Sequence, residues 1–272
     1  MEQDLIVVRG AGDLASGVIH RLAGAGFRVL TLETAQPTAI RRQVSFCEAV
    51  YEGQSTVEGL TAVKIVMLSE AEALWAAGKI PVLVDPQCSC LQSIRPLAVV
   101  DAILAKRNLG TNRAMAPLTV GLGPGFCAGS DVDAVIETCR GHDLGRIIRK
   151  GFAKPDTGCP GMIGGFGKER VIHSPADGTL WAVHDIGDIV SAGETIAWVQ
   201  KIPVNASISG ILRGLIRDGF SVHKGMKIAD IDPRLDEQKN CFTISDKARC
   251  IAGSVLELVC AGSFQRAAAV EN

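Results

Sequence analysis

VVRGAGDLASGVIH, residues 7–20, sets a Gly-x-Gly between an apolar run and a helical pattern. The run LIVVRG (5–10) is apolar without alternation, as a parallel strand buried on both faces requires. DLASGVIHRLAGAG (13–26) carries Leu14, Val18, Ile19 and Leu22 at helical spacing and ends on Gly24 and Gly26. FRVLTLE (27–33) reads as a second strand. Further on, the pattern predicts a helix over 69–79, a strand over 81–85, a helix over 96–108 and a strand over 117–122. Strand–helix alternation of this kind predicts a Rossmann-like α/β domain, a parallel sheet covered by helices, over residues 1–170.

Past residue 170 the texture changes to short apolar runs separated by Gly and Pro, with no helical period. A gapless duplication appears at an offset of 32. Gly178 matches Gly210, Leu180 matches Leu212, Gly187 matches Gly219, and Val190 matches Val222. Gly193, Ile196 and Ala197 match Gly225, Ile228 and Ala229. Two such copies can close around one core, which predicts a small duplicated β domain over 171–234. It resembles the barrel-sandwich hybrid of biotinyl and lipoyl carriers. The junction holds Lys201 between Gln200 and Ile202, unlike the carriers' modified lysine, so neither biotin nor lipoate is expected. A C-terminal segment, 235–272, contains a helix with Ser245 as its candidate cap, expected to pack back on the α/β domain.

Composition narrows the function classes. The chain has 272 residues, 28 Lys+Arg against 29 Asp+Glu, and a formal net charge of −1. A nucleic-acid role has no electrostatic footprint in so balanced a chain. No apolar stretch is long enough for a membrane span, and the acidic start MEQD is the opposite of a secretory signal. Nine scattered cysteines, an odd count, read as free thiols in a cytoplasmic protein. Scarce aromatics with high apolar content allow a homo-oligomer without requiring one.

The first turn of a dinucleotide fold needs Gly where the chain turns, Gly where the backbone approaches phosphate, and a small residue where helix meets strand. Gly10, Gly12 and Ala15 fill those places, and Gly17 adds close packing. Asp13 stands beside this seat, and Glu33 ends the second strand where an acid would bind a ribose hydroxyl. Arg41 and Arg42 are either a bidentate phosphate clamp or a solvated surface pair. Lys106 and Asn108 either oppose a helix dipole or reach into the crevice at the strand ends. GLGPGF (121–126) offers Gly123 and Gly125 as an anion nest, with Arg140 and His142 following. His142 is an acid–base candidate or a structural hydrogen-bonder. Cys88, Cys90 and Cys159 are candidate reactive thiols, and no second Cys pair or His cluster completes a metal set.

Together VVRGAGDLASGVIHRL, PTAIRRQVSF, VDAILAKRNLGT, GLGPGF, VIETCRGHDLGR, TGCPG, ISGILRGLIRDG, GMKIADIDPR and ISDKAR resemble the YqeB-type accessory proteins encoded with selenium-dependent molybdenum hydroxylases. That family is related in theme to the XdhC accessory proteins. The resemblance implies a maturation factor that binds the molybdenum cofactor (molybdopterin) or a dinucleotide. Its partners would be a molybdenum hydroxylase apo-enzyme and other maturation proteins. Two other readings stand beside it. Gly10, Gly12 and Glu33 also fit an NAD(P)-dependent oxidoreductase, and the duplicated domain also fits a carrier or docking module.

Overall fold

The computed structural model describes residues 4–270, with side chains through residue 262. The chain forms two compact units. One comprises the described residues of Met1–Pro37, Ser45–Asp156 and Ile244–Asn272; the other comprises Thr38–Val44 and Thr157–Thr243. Residues 38–44 thus belong with the second unit, whose longer stretch is Thr157–Thr243.

In the first unit the strands are β1 (Leu5–Arg9), β2 (Arg28–Glu33), β3 (Gln54–Val57), β4 (Leu60–Ile65), β5 (Ile80–Val84) and β6 (Ala98–Asp101). They are followed by β7 (Leu118–Leu122), β8 (Cys127–Ala128), β9 (Ala134–Ile136), β10 (Ile147–Ile148) and β11 (Gly151–Phe152). Nine of them form one sheet in the order β10-β9-β7-β6-β1-β2-β5-β4-β3, and β8 pairs only with β11. Neighbours from β9 across to β4 run parallel, whereas β3 and β10 close the two edges antiparallel. The helices are α1 (Asp13–Gly24), α2 (Ala49–Glu52), α3 (Ala71–Ala76) and α4 (Asp246–Val270).

The helix α1 buries Leu14, Val18, Ile19 and Leu22, and it crosses α4 where Gly17 meets Ala248. A Cβ on Gly17 would stand 2.8 Å from the Ala248 Cβ, so the close crossing requires glycine. Ser245 starts α4 as expected: its hydroxyl accepts from the Ala248 N–H at 3.2 Å. On another part of the sheet Leu5, Val7, Leu30, Leu32 and Val99 share a core with Ala71, Cys88 and Cys90.

The second unit contains β12 (Val171–His173), β13 (Gly178–Ala182), β14 (Ile189–Val190), β15 (Thr195–Val199), β16 (Ile202–Asn205), β17 (Gly210–Leu215), β18 (Ser221–Val222) and β19 (Lys227–Asp232). They make two four-stranded sheets, β12-β19-β17-β14 and β16-β15-β13-β18. The duplication maps β13, β14 and β15 onto β17, β18 and β19, and the copies exchange their middle strands between sheets. Matched Leu180 and Leu212, and matched Ile196 and Ile228, are all fully buried in the shared core. A salt bridge lies inside this unit as well: Arg170 Nη1 meets Asp230 Oδ1 at 2.9 Å, both side chains under one-tenth exposed.

The expected fold class is therefore corrected. A Rossmann-like parallel sheet wrapped by helices gives way to a mixed nine-stranded sheet in which no helix separates β6, β7 and β9 along the chain. The helix expected over 96–108 is strand β6 followed by a loop. In place of a carrier-like barrel-sandwich hybrid there is an eight-stranded unit with added strands β12 and β16. Gln200, at φ +56°, makes with Lys201 a tight turn joining β15 to β16 in place of a carrier's lysine hairpin.

Candidate functional site

A cleft of about 350 Å³ opens at the carboxyl ends of β1, β2 and β5. Arg9, Gly10, Leu32, Glu33, Asp85 and Ile103 line it, with Pro86, Gln87 and Leu109. Open parallel sheets bind ligands at this end. Its floor is a buried ion pair. Arg9 Nη1 stands 3.2 Å from Asp101 Oδ2, both side chains at most 5% exposed. Arg9 also donates to the Thr111 hydroxyl and, at 3.1 Å, to the Pro86 carbonyl. The guanidinium is consumed by the protein and offers no free charge to a ligand.

Two carboxylates remain. Glu33 accepts the Ala11 N–H at 2.8 Å and the Thr34 N–H at 2.7 Å. Burial raises its pKa above 4.5, and those two N–H groups offset only part of the effect. Asp85 accepts the Ser89 and Cys90 N–H groups at 2.9 and 2.8 Å. Burial pushes Asp85 up too, but its hydrogen bonds to Cys90 and Ser89 win and hold it below 3.8. The cleft is acidic and walled by Leu32, Pro86, Ile103 and Leu109.

This corrects the seat for an anionic head-group. The Ala11 amide in the Gly-x-Gly turn already serves Glu33. Gly10, at φ +93°, turns the chain against β6: a Cβ there would lie 3.1 Å from the Ala102 carbonyl oxygen. Gly12 caps α1 with no side-chain hydrogen bond, Asp13 opens the helix, and Ala15 and Gly17 are buried within it. Rossmann-type nucleotide binding and molybdenum-cofactor handling need a phosphate seat here, and two carboxylates without a free cation repel one.

The other site candidates do not converge on this cleft. Arg41 donates to the Asn240 and Thr243 carbonyls at 3.1 and 3.2 Å, and Arg42 to the Leu215 carbonyl at 2.7 Å, all within the second unit. The pair holds backbone there, not phosphate. Lys106 Nζ pairs with Asp156 at 2.7 Å, and Asn108 braces its own loop through the Gly110 and Thr111 amides. Gly123 and Gly125 permit close packing: Cβ atoms there would strike Thr138 Oγ1 at 2.5 Å and the Arg107 nitrogen at 2.6 Å. Arg140 forks onto Asp246 at 3.0 and 3.1 Å. His142 is exposed beside Asp143.

Burial, with Asp85 adding to it, drives the Cys90 thiol up to about 12, and burial raises Cys88 as well. Neither is a thiolate at neutral pH, so both are corrected from reactive to core residues. Cys159 and Cys139 are exposed. Iodoacetamide on the native chain is expected to label Cys139 and Cys159 well before Cys88 and Cys90, as peptide mapping after brief exposure would show. Among the described residues no His, Cys, Asp and Glu cluster is placed to hold a metal.

Sequence reasoning found Gly10 and Glu33 but missed Arg9, Asp85, Asp101, Ile103, Leu109 and Thr111. A signal for the two aspartates was present: like Glu33, each closes an apolar strand, in PVLVD and AVVD.

The chain is 52% identical over 253 residues to "Uncharacterized protein YqeB" of Escherichia coli K12, covering 93% of this chain and 47% of the relative. The chain spans about half the length of that curated relative. No family model matches. Among solved structures, product-bound ectoine utilization protein EutE (DoeB) from Ruegeria pomeroyi aligns over 84% of this chain and 57% of its own, at 12% identity and TM-score 0.23. Succinylglutamatedesuccinylase/aspartoacylase from Rhodobacter sphaeroides aligns over 76% and 58%, at 11% identity and TM-score 0.25. An aspartoacylase family protein from Mesorhizobium loti aligns over 85% of each chain, at 8% identity and TM-score 0.28. Scores of this size carry no argument about activity.

Proposed function

We propose that the chain is a binding module that serves a selenium-dependent molybdenum hydroxylase system as an accessory protein. Its ligand is small and presents hydrogen-bond donors, an amine above all, beside an apolar body. The accessory role rests on the resemblance of the long motifs to the YqeB-type accessory proteins; the 52% identical relative supports the YqeB likeness and says nothing of a role. The ligand class rests on one observation: Glu33 and Asp85 flank an aliphatic-walled cleft whose arginine is already neutralised. All nine thiols are free, and among the described residues no helix is long and apolar enough to cross a membrane, which supports a cytoplasmic setting.

Cyclohexylamine, protonated throughout the range tested, is a suitable probe, with cyclohexanecarboxylate as its anionic counterpart. At ten times Kd the amine is expected to raise Tm by about 3 °C, the carboxylate not at all. The amine binds ionised Glu33, so its affinity rises with pH through the elevated Glu33 pKa, above 4.5, and levels off beyond it. Glu33→Gln removes that rise. Equal protection by both probes overturns the ligand class. A host that keeps full selenium-dependent hydroxylase activity without this chain overturns the accessory role.

A further inference from the structure

A second groove, of about 470 Å³, lies at the opposite end of the first unit's sheet, where β2 and β5 begin. Phe27 and Arg28 form its floor with Lys79 and Ile80. Its walls are the last turn of α1 (His20, Ala23, Gly24), Trp75 of α3, and the β3–β4 turn (Glu58, Gly59, Leu60). The aromatic wall is fixed in place. Trp75 Nε1 donates to the Val29 carbonyl at 2.9 Å, and the Arg28 guanidinium carbon stacks 5.1 Å from the ring centroid.

The charges here have the opposite balance to the first cleft. Arg28 is compensated by Asp4 at 2.8 Å and Glu72 at 3.2 Å. The one carboxylate on the wall, Glu58, is spent on the Ile244 N–H at 2.8 Å and on Arg249 at 2.6 and 2.8 Å. Lys79 makes no ion pair among the described residues, and this half-buried residue lines the groove, as does His20. An uncompensated ammonium beside ordered aromatic and aliphatic surface is the chemistry that recognises a flat organic acid.

We propose that this groove is a binding site for a small aromatic carboxylate, its ring against Trp75, Phe27 and Leu60 and its carboxylate on Lys79. The site is separate from the Glu33 cleft and of opposite ligand charge, so each stands or falls alone.

The test uses the full chain with Trp181→Phe and Trp198→Phe, which leaves Trp75 as the sole tryptophan reporter. Titration with 1-naphthoate is expected to change Trp75 fluorescence saturably with Kd of about 1 mM, the affinity a fragment of that size commonly reaches. Lys79→Met is expected to weaken 1-naphthoate about fivefold and to leave the neutral 1-naphthamide unchanged. Circular dichroism of both variants confirms the fold, and the amide serves as an internal control for the shape of the groove. Absence of saturation by about 10 mM, or an equal loss for acid and amide, overturns the proposal.

Discussion

Asp101→Ala is expected to lower the stability of the first unit by about 3–5 kcal/mol, because it strands a buried guanidinium without its counter-charge. Asp101 is 1% exposed and Arg9 4%. The Asp101 carboxylate also accepts the Ile103 N–H at 3.1 Å, so its loss frees the loop that walls the cleft. Urea unfolding followed by fluorescence measures the change. The double variant Arg9→Met, Asp101→Leu removes both charges and is expected to recover most of the loss, since the penalty comes from the unpaired ion more than from the missing bond. A loss under about 1 kcal/mol in the single variant would mean that water reaches Arg9 and the floor of the cleft is not sealed.

Gly125→Ala is the second large effect, at about 3 kcal/mol. The residue sits at φ +109°, where a side chain is strained, and a Cβ would lie 2.6 Å from the Arg107 backbone nitrogen and 2.7 Å from its Cα. Backbone cannot rotate away as a side chain can. The same change at Gly110 (φ +99°) meets nothing within 4 Å and carries the strain alone. Gly125→Ala is therefore expected to cost more than Gly110→Ala in thermal unfolding. Equal costs would show that the turn and the 106–107 segment are not pressed together, and would restore the turn as a candidate open anion nest.

Local grammar made part of this molecule legible. Strand β1, helix α1 and strand β2 follow from an unbroken apolar run, a helical period ended by glycines, and a second apolar run. The duplication at offset 32 marked the repeated strands, and Ser245 marked the start of α4. The misread helix over 96–108 has a physical cause. AVVDAIL (98–104) is a short apolar run, and a strand buried on both faces has no alternation to tell it from a helix turn. Tertiary facts were out of reach altogether. Nothing local says that Glu33 will take the Ala11 amide, that Arg9 will be neutralised by Asp101, or that Arg41 and Arg42 will bind carbonyls of the second unit. The sign of the charge in the cleft, on which the ligand class depends, is therefore a property of packing and not of the Gly-x-Gly motif.

Native mass spectrometry of the chain, freshly isolated from its own host beside the Glu33→Gln variant, tests that sign most directly. The predicted result is a retained amine- or hydroxyl-bearing small molecule without phosphorus in the wild-type chain, absent from the variant. A phosphate-bearing mass held equally by both would contradict it and return the glycine turn to the role of an anion seat.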